Sequence, residues 1–315
     1  MNTVRLLAAV LGISVALAGC SNSQSSSTTT TVTKPAPGGA KTIGVSIQNL
    51  EAQFYQDMEA GMQAEASKYG YKVIFVDANR DSAKQQSQVE DFISKKVQAI
   101  VLTPYDSQAI GSAIAEANTA GIPLFTADIA NASNQGKVVA HIASNNVQGG
   151  MQAAKLICAA VKSGNVAIID EPEVTSVQDR VKGFKTGLAQ NCPGVKVVAD
   201  VDAGGTREKA NADMGDVLQS HKDLKGIFGI NDDSALGAVT AIKAAGLKGI
   251  AVVGYDASPE ARTAIKKGDM YGDAIQHPDQ IGAKTIDAIH DYFNGKKGSA
   301  RVDIPVGTFT AANAK

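Results

Sequence analysis

Large rings are scarce in this chain. It has no Trp, and aromatic side chains make up 5% of its 315 residues. Groups that carry chemistry are scarce as well. His141, His221, His277 and His290 are scattered, with no H-x-x-x-H and no nearby Cys, which argues against a catalytic zinc. Neither G-x-x-x-x-G-K-[ST] nor G-x-G-x-x-G occurs, so the phosphate cradle and the dinucleotide fingerprint are both missing. A G-x-S-x-G nucleophile elbow is missing too. Asp77, Asn79 and Asp81 have the opening spacing of a calcium loop, but Ser82 stands where Gly is needed and Gln88 where Glu is needed. Asp170 and Glu171 are neighbours on a strand end, so their side chains point apart and make a poor acid/base pair. The 30 Lys and Arg nearly balance 31 Asp and Glu, with no basic run or stripe, so nucleic acid is not an expected partner. No metal, cofactor or catalysis is expected, and no segment after the N-terminus is long and apolar enough to span a membrane.

What is present begins with an address. Arg5 precedes an apolar run over residues 6–18, the pattern of a secretory signal. The run ends in Leu17-Ala18-Gly19-Cys20, which resembles the lipobox of bacterial lipoproteins and implies cleavage before Cys20 and lipidation of its thiol. The stretch SNSQSSSTTTTVTKPAPGGA that follows has almost nothing to bury and reads as a flexible tether. Residues 1–19 are therefore expected to be the signal peptide and 20–40 a lipid-anchored leash. That address places the protein in the cell envelope, outside the cytoplasm, in a periplasm or on the outer face of the cytoplasmic membrane. With Cys20 lipidated, Cys158 and Cys192 remain; a disulfide and two buried thiols are both open on sequence alone.

From Lys41 onward, short Val/Ile-rich runs alternate with stretches of helical period. TIGVSI, YKVIFVDA, AIVLTP, PLFTAD and VVAHIA are strand candidates, followed by NVAIID, VKVVADV, GIFGIN, IAVVGYD and MYGDAI. Helices are expected over 54–69, 82–96, 107–120, 177–190, 206–220, 234–245 and 259–267. Near-continuous apolar strands alternating with helices predict parallel sheets covered on both faces. Two consecutive sets predict an α/β protein of two doubly wound lobes. Ligands of such sheets bind beyond the carboxyl ends of the strands, and nearly every strand here ends in Asp, Asn or Gln. For Asp77 and Asp232 helix capping is the preferred reading. A ring of such groups suits a ligand rich in hydroxyls.

The segments IGVSIQNLEAQFY, GIPLFTAD with VVAHIASNN, IFGINDDSALGA, VVGYDASPEA and AIQHPDQIGAK together resemble the ribose-type periplasmic sugar-binding proteins, which serve ABC importers. The resemblance implies a type I periplasmic binding fold with three hinge crossings, a small carbohydrate ligand and a membrane permease as partner, with the receptor itself a monomer. It sets the N-terminal lobe at 41–143 plus 278–304 and the C-terminal lobe at 144–277 plus 305–315. It also accounts for two adjacent aromatics at a helix start: Phe54 and Tyr55 match the rings that wall the sugar site. Asp128, Arg180, Asn231, Asp256 and Gln276 match the polar contacts. Gln48 stands at a strand-end position usually held by Ser. Three more departures surround the site: Ile129 for an Arg, Ala52 for an Asn and Gly205 for an aromatic. These changes argue against ribose and toward another pentose, a hexose or a sugar alcohol. The same fold also serves as a sensor of signalling furanoses, of autoinducer or chemoreceptor type, which is the alternative use.

Overall fold

The computed structural model describes residues 40–314, so the expected signal peptide, the tether up to residue 39 and Cys20 lie outside the described residues. The first sheet is wholly parallel. It contains β1 (Thr42–Ile47), β2 (Lys72–Asp77), β3 (Ala99–Leu102), β4 (Leu124–Ala127), β5 (His141–Ser144) and the late strand β11 (Arg301–Ile304). Their order is β11-β5-β4-β3-β1-β2. The second sheet contains β6 (Gly164–Asp170), β7 (Val195–Asp202), β8 (Leu224–Gly229), β9 (Ala251–Asp256), β10 (Gly272–Ile275) and β12 (Gly307–Thr310). Its order, β12-β10-β9-β8-β6-β7, repeats that of the first. Only β12 runs antiparallel, against β10 at the edge.

Successive residues of one strand serve opposite layers, which is why the strands read as unbroken apolar runs. Ile168 packs with Ile157, Phe184 and Phe228, among helices α4 (Asn146–Ala160) and α5 (Thr175–Asn191). Its neighbour Ile169 packs on the other face with Met214, Leu218 and Ile242, from α6 (Arg207–Ser220) and α7 (Asp232–Ala244). The first sheet is built alike. Met58 and Met62 of α1 (Gln53–Lys68) and Ile281, Ile286 and Ile289 of α9 (Pro278–Phe293) cover Val45. Val89 and Phe92 of α2 (Ser82–Ser94) and Ile114 of α3 (Gly111–Thr119) cover Ile100. The remaining helix of the described residues, α8 (Pro259–Lys267), follows β9.

Four elements escape the alternation read from sequence: α4, α9, β11 and β12. Helix α4 contains Gly149 and Gly150, which weaken a helical pattern, and α9 opens on Pro278 immediately after a strand. The edge strand β11 is only partly buried and carries Arg301 and Asp303. Helix α3 starts at Gly111 rather than at 107, because the preceding residues form turns capped by Asp106. Cys158 at the end of α4 and Cys192 at the C-cap of α5 are joined in a disulfide, with Cα atoms 5.7 Å apart.

In both sheets the first strand has the second on one side and the third on the other. The helices that leave the first and third strands lie on opposite faces, so a crevice opens at their carboxyl ends. The chain crosses between the sheets after β5, after β10 and after β11.

Candidate functional site

The carboxyl ends of the two sheets face each other across a cleft of about 340 Å³. That volume lies at the lower end of the range for small-molecule sites, roughly 300–1,000 Å³. Gln48, Phe54, Tyr55, Asp128, Arg180, Asn231, Asp256 and Gln276 all line it, although they come from both sheets.

On the first lobe, Phe54 and Tyr55 lie in the first turn of α1, buried between the core and the cleft. Their rings meet edge to face, with centroids 5.1 Å apart. Tyr55 has a polar task as well. Its hydroxyl accepts from Nε2 of Gln48 and donates to Oδ2 of Asp128 at 3.3 Å. Asp128 follows β4 with φ at 64°, a conformation unusual for a residue with a side chain. Its other oxygen, Oδ1, is buried without a partner, as is Oε1 of Gln48. Burial pushes the Asp128 carboxyl up, while Arg180 and the Tyr55 hydrogen bond hold it down.

On the second lobe, Arg180 is fully enclosed. Its Nε donates to Oδ1 of Asn146 at 2.9 Å and its Nη1 to the Ile230 carbonyl at 2.9 Å. The guanidinium lies over the Tyr255 ring, 4.1 Å from the centroid, and the Tyr255 hydroxyl binds the same Asn146 oxygen. The ring needs Gly149 beneath it, since a Cβ there would overlap the phenol. Arg180 is thus held rigid, with its remaining N–H groups available to the cleft. Asp256 ends β9 with φ at 119°, and its Oδ1 accepts from Gln276 Nε2 at 2.7 Å. Burial and the neighbouring Asp232 push its carboxyl up. Oε1 of Gln276 is buried and unpartnered. Asn231 has less to offer: its Oδ1 caps α7 at Ser234, and its Nδ2 donates to the Gly205 carbonyl, leaving one amide hydrogen.

Sequence reasoning missed three groups here. Asp232 does not cap α7; that is the role of Asn231. Instead Asp232 lines the cleft, accepts from the Ser258 amide at 2.7 Å and adjoins the buried Asp273 of β10. Asp77 likewise caps no helix but closes a turn onto the Asn79 amide. Glu171, dismissed with Asp170 as an acid/base pair, is buried in the cleft wall, where burial raises its pKa to about 7. Arg80, in the loop after β2, reaches across to it. Strand-end position was the only signal for Asp232 and Glu171, and Arg80, three residues beyond the end of β2, carried none.

The lobes touch over the cleft. Thr175 at the start of α5 donates its backbone N–H to Ser107 Oγ at 3.1 Å and accepts from the Ala130 amide at 3.0 Å. The Ser107 amide in turn donates to the Glu173 carbonyl at 3.1 Å. Ile129, 1% exposed, leaves its own lobe's core and packs with Val174 and Val177 of the other. Where the resemblance expects an Arg, Ile129 gives the lobes an apolar contact.

Comparison with known proteins places this geometry in context. A model of the periplasmic binding protein domain matches residues 43–297. The chain is 37% identical to the ribose import binding protein RbsB of Bacillus subtilis over 280 residues, which cover 87% of this chain and 89% of that protein. Among solved structures it is similar to an ABC transporter solute-binding protein from Bacillus halodurans with bound myo-inositol. The TM-score is 0.79 and the identity 32%, covering 88% of this chain and 96% of that one. A solute-binding protein from Actinobacillus succinogenes with bound D-allose superposes with a TM-score of 0.81 at 28% identity, covering 87% and 99%.

Proposed function

Since the chain belongs to the periplasmic binding protein family, we propose that it captures a small carbohydrate by closing two lobes over it and delivers it to the permease of an ABC importer. The observation that carries this reading is the set of buried, partnerless polar atoms on residues lining one cleft. Acceptors on Gln48, Asp128, Asp232 and Gln276 stand beside donors on Asn49 and Arg80. Leaving such groups unpaired costs on the order of 1–3 kcal/mol each, and a polyol satisfies both kinds. The Phe54 ring supplies an apolar surface for the C–H face of a sugar. Acceptors outnumber donors, so an anionic ligand fits poorly.

The lobes in this reading are residues 41–143 with 278–304 and 144–277 with 305–315. Closure follows from contacts that the ligand makes with both lobes at once. The lipidated Cys20 and the tether hold the protein at the outer surface of a membrane. The protein acts as a monomer, binds and releases its ligand, and catalyses nothing. Gln48, Ala52, Ile129 and Gly205 change the shell enough that the ligand is another pentose, a hexose or a sugar alcohol rather than ribose. The test is calorimetric titration with pentoses, hexoses, hexitols and inositols. One of them should bind, and Asp128→Ala and Arg180→Ala should each weaken it by about a hundredfold, the consequence of losing a charge-assisted contact. Binding that survives both substitutions would refute the assigned site.

A further inference from the structure

Part of the cleft wall is built of charge where a ring was expected. Arg80 sits in the turn after β2 at φ 56°, beside Asn79 at φ 54°, so two successive left-handed residues aim this side chain across the cleft. Its Nη1 donates to the Gly204 carbonyl of the other lobe at 2.8 Å and approaches Glu171 Oε1 at 3.5 Å. Its Nε is buried and has no partner. Glu171 is 4% exposed, and among the described residues its Oε2 accepts no hydrogen bond. The two side chains line the same cleft.

Gly205 completes the arrangement. It has φ at +62°, and a Cβ built on it would overlap Oε2 of Glu171 and come within 3.2 Å of Asn231 Nδ2. The missing side chain at 205 therefore does not enlarge the cleft; the Glu171 carboxylate takes that space. A polar acceptor stands where an apolar ring would have stacked.

An unpaired N–H on one lobe and an uncommitted carboxylate oxygen on the other, in side chains that touch, form a matched pair. A hydroxyl meets both needs, because it accepts and donates at once. From this juxtaposition we infer that Arg80 and Glu171 are specificity-determining residues, a clasp that reads one ligand hydroxyl. The clasp adds to the contacts offered by Gln48, Asp128, Arg180, Asp256 and Gln276. It therefore favours a six-carbon carbohydrate, hexose or cyclitol, over the pentose that lacks the additional hydroxyl. This inference rests on the carbohydrate reading of the cleft.

The experiment is calorimetric titration of the purified chain with matched pairs: D-glucose against D-xylose, D-galactose against L-arabinose, and myo-inositol alongside. In the unaltered protein the six-carbon member of the recognised pair, or myo-inositol over every pentose, should bind about tenfold or more tightly, as expected for one charge-assisted hydrogen bond. Glu171→Ala should reduce that ratio to about threefold or less. Glu171→Gln, which keeps an acceptor and the shape, should retain part of it, and Arg80→Ala should act like Glu171→Ala. A preference unchanged in Glu171→Ala and Arg80→Ala, or a pentose preferred by the unaltered protein, would overturn the clasp and leave the carbohydrate reading intact. Failure of every sugar to bind the unaltered protein would remove both.

Discussion

In the proposed reading, Tyr55 joins recognition of the ligand to the internal order of the site. As a ring it fills the core; as a phenol it ties Gln48 to Asp128. Tyr55→Phe keeps the first role and deletes the second, leaving Asp128 Oδ2 without its donor. The expected result is a tenfold or so loss of ligand affinity with a stability change of only about 1 kcal/mol, read by titration and thermal melting. Adjacent aromatics at a helix start were legible in the sequence, as were Asp128, Asp256 and Gln276 at strand ends. The polar task of Tyr55 was not, because its partner lies 73 positions away. The pairing of Arg80 with Glu171, 91 positions away, was invisible for the same reason.

Glu171 also carries a pH signature. Burial raises its pKa from 4.5 to about 7 in the fold, against the pull of Arg80 and Arg180, and Asp170 beside it is raised to about 6. The folded protein therefore holds protons that the unfolded chain has released. Stability from these groups is full below the unfolded value and declines as pH rises from about 4.5 to about 7. For Glu171 the loss is about 3 kcal/mol. Glu171→Gln should flatten this decline in denaturant titrations at stepped pH; an unchanged slope would mean that Glu171 is ordinary in the fold.

Among elements, the strands from β1 to β10 were legible as apolar runs, whereas the short late strands β11 and β12 at the sheet edges were not. The helices that begin with weak or unusual signals were the least legible. Helix α4, with its paired glycines, and α9, with Pro278 at its start, follow the first two crossings between the sheets, so the strand–helix alternation was least informative beside the hinge. The covalent tie between α4 and α5 was left open by the sequence, since no Cα separation can be read from spacing. The disulfide closes a segment of 34 residues. A loop of that length stabilises the fold by about 3–4 kcal/mol in the chain-entropy account. Cys158→Ser should lower the melting midpoint by several degrees while leaving ligand affinity within about twofold. The site belongs to α5's other end, so a large affinity loss would show that the two ends are coupled.

At the scale of the molecule, the two lobes are held together by few contacts outside the ligand's reach. Thr175 bridges Ser107 and Ala130, and Ile129 sits in the opposite core. In the proposed reading these contacts favour closure by a small amount, and the ligand supplies the rest. Thr175→Ala removes the acceptor for the Ala130 amide and weakens closure by about 1 kcal/mol. That change should raise the dissociation constant about fivefold and enlarge the radius of gyration of the free protein in solution scattering. A receptor that is equally compact and equally tight without this hydroxyl would place the closing energy elsewhere. Two consecutive sets of strand–helix units made the two-lobe plan readable from the sequence, and the family resemblance added the crossings. The apolar latch was not, because Ile129 reads as a lost charge until its neighbours are known.

The most direct test of the account is a thermal melt of the purified chain against a panel of pentoses, hexoses, hexitols and inositols. A ligand that binds only the folded state at a hundredfold excess over its dissociation constant stabilises it by about 2.7 kcal/mol, a shift of several degrees. The account predicts such a shift for one small carbohydrate, largest among the six-carbon members and absent in Arg180→Ala. Identical midpoints across the panel would contradict carbohydrate capture by this cleft.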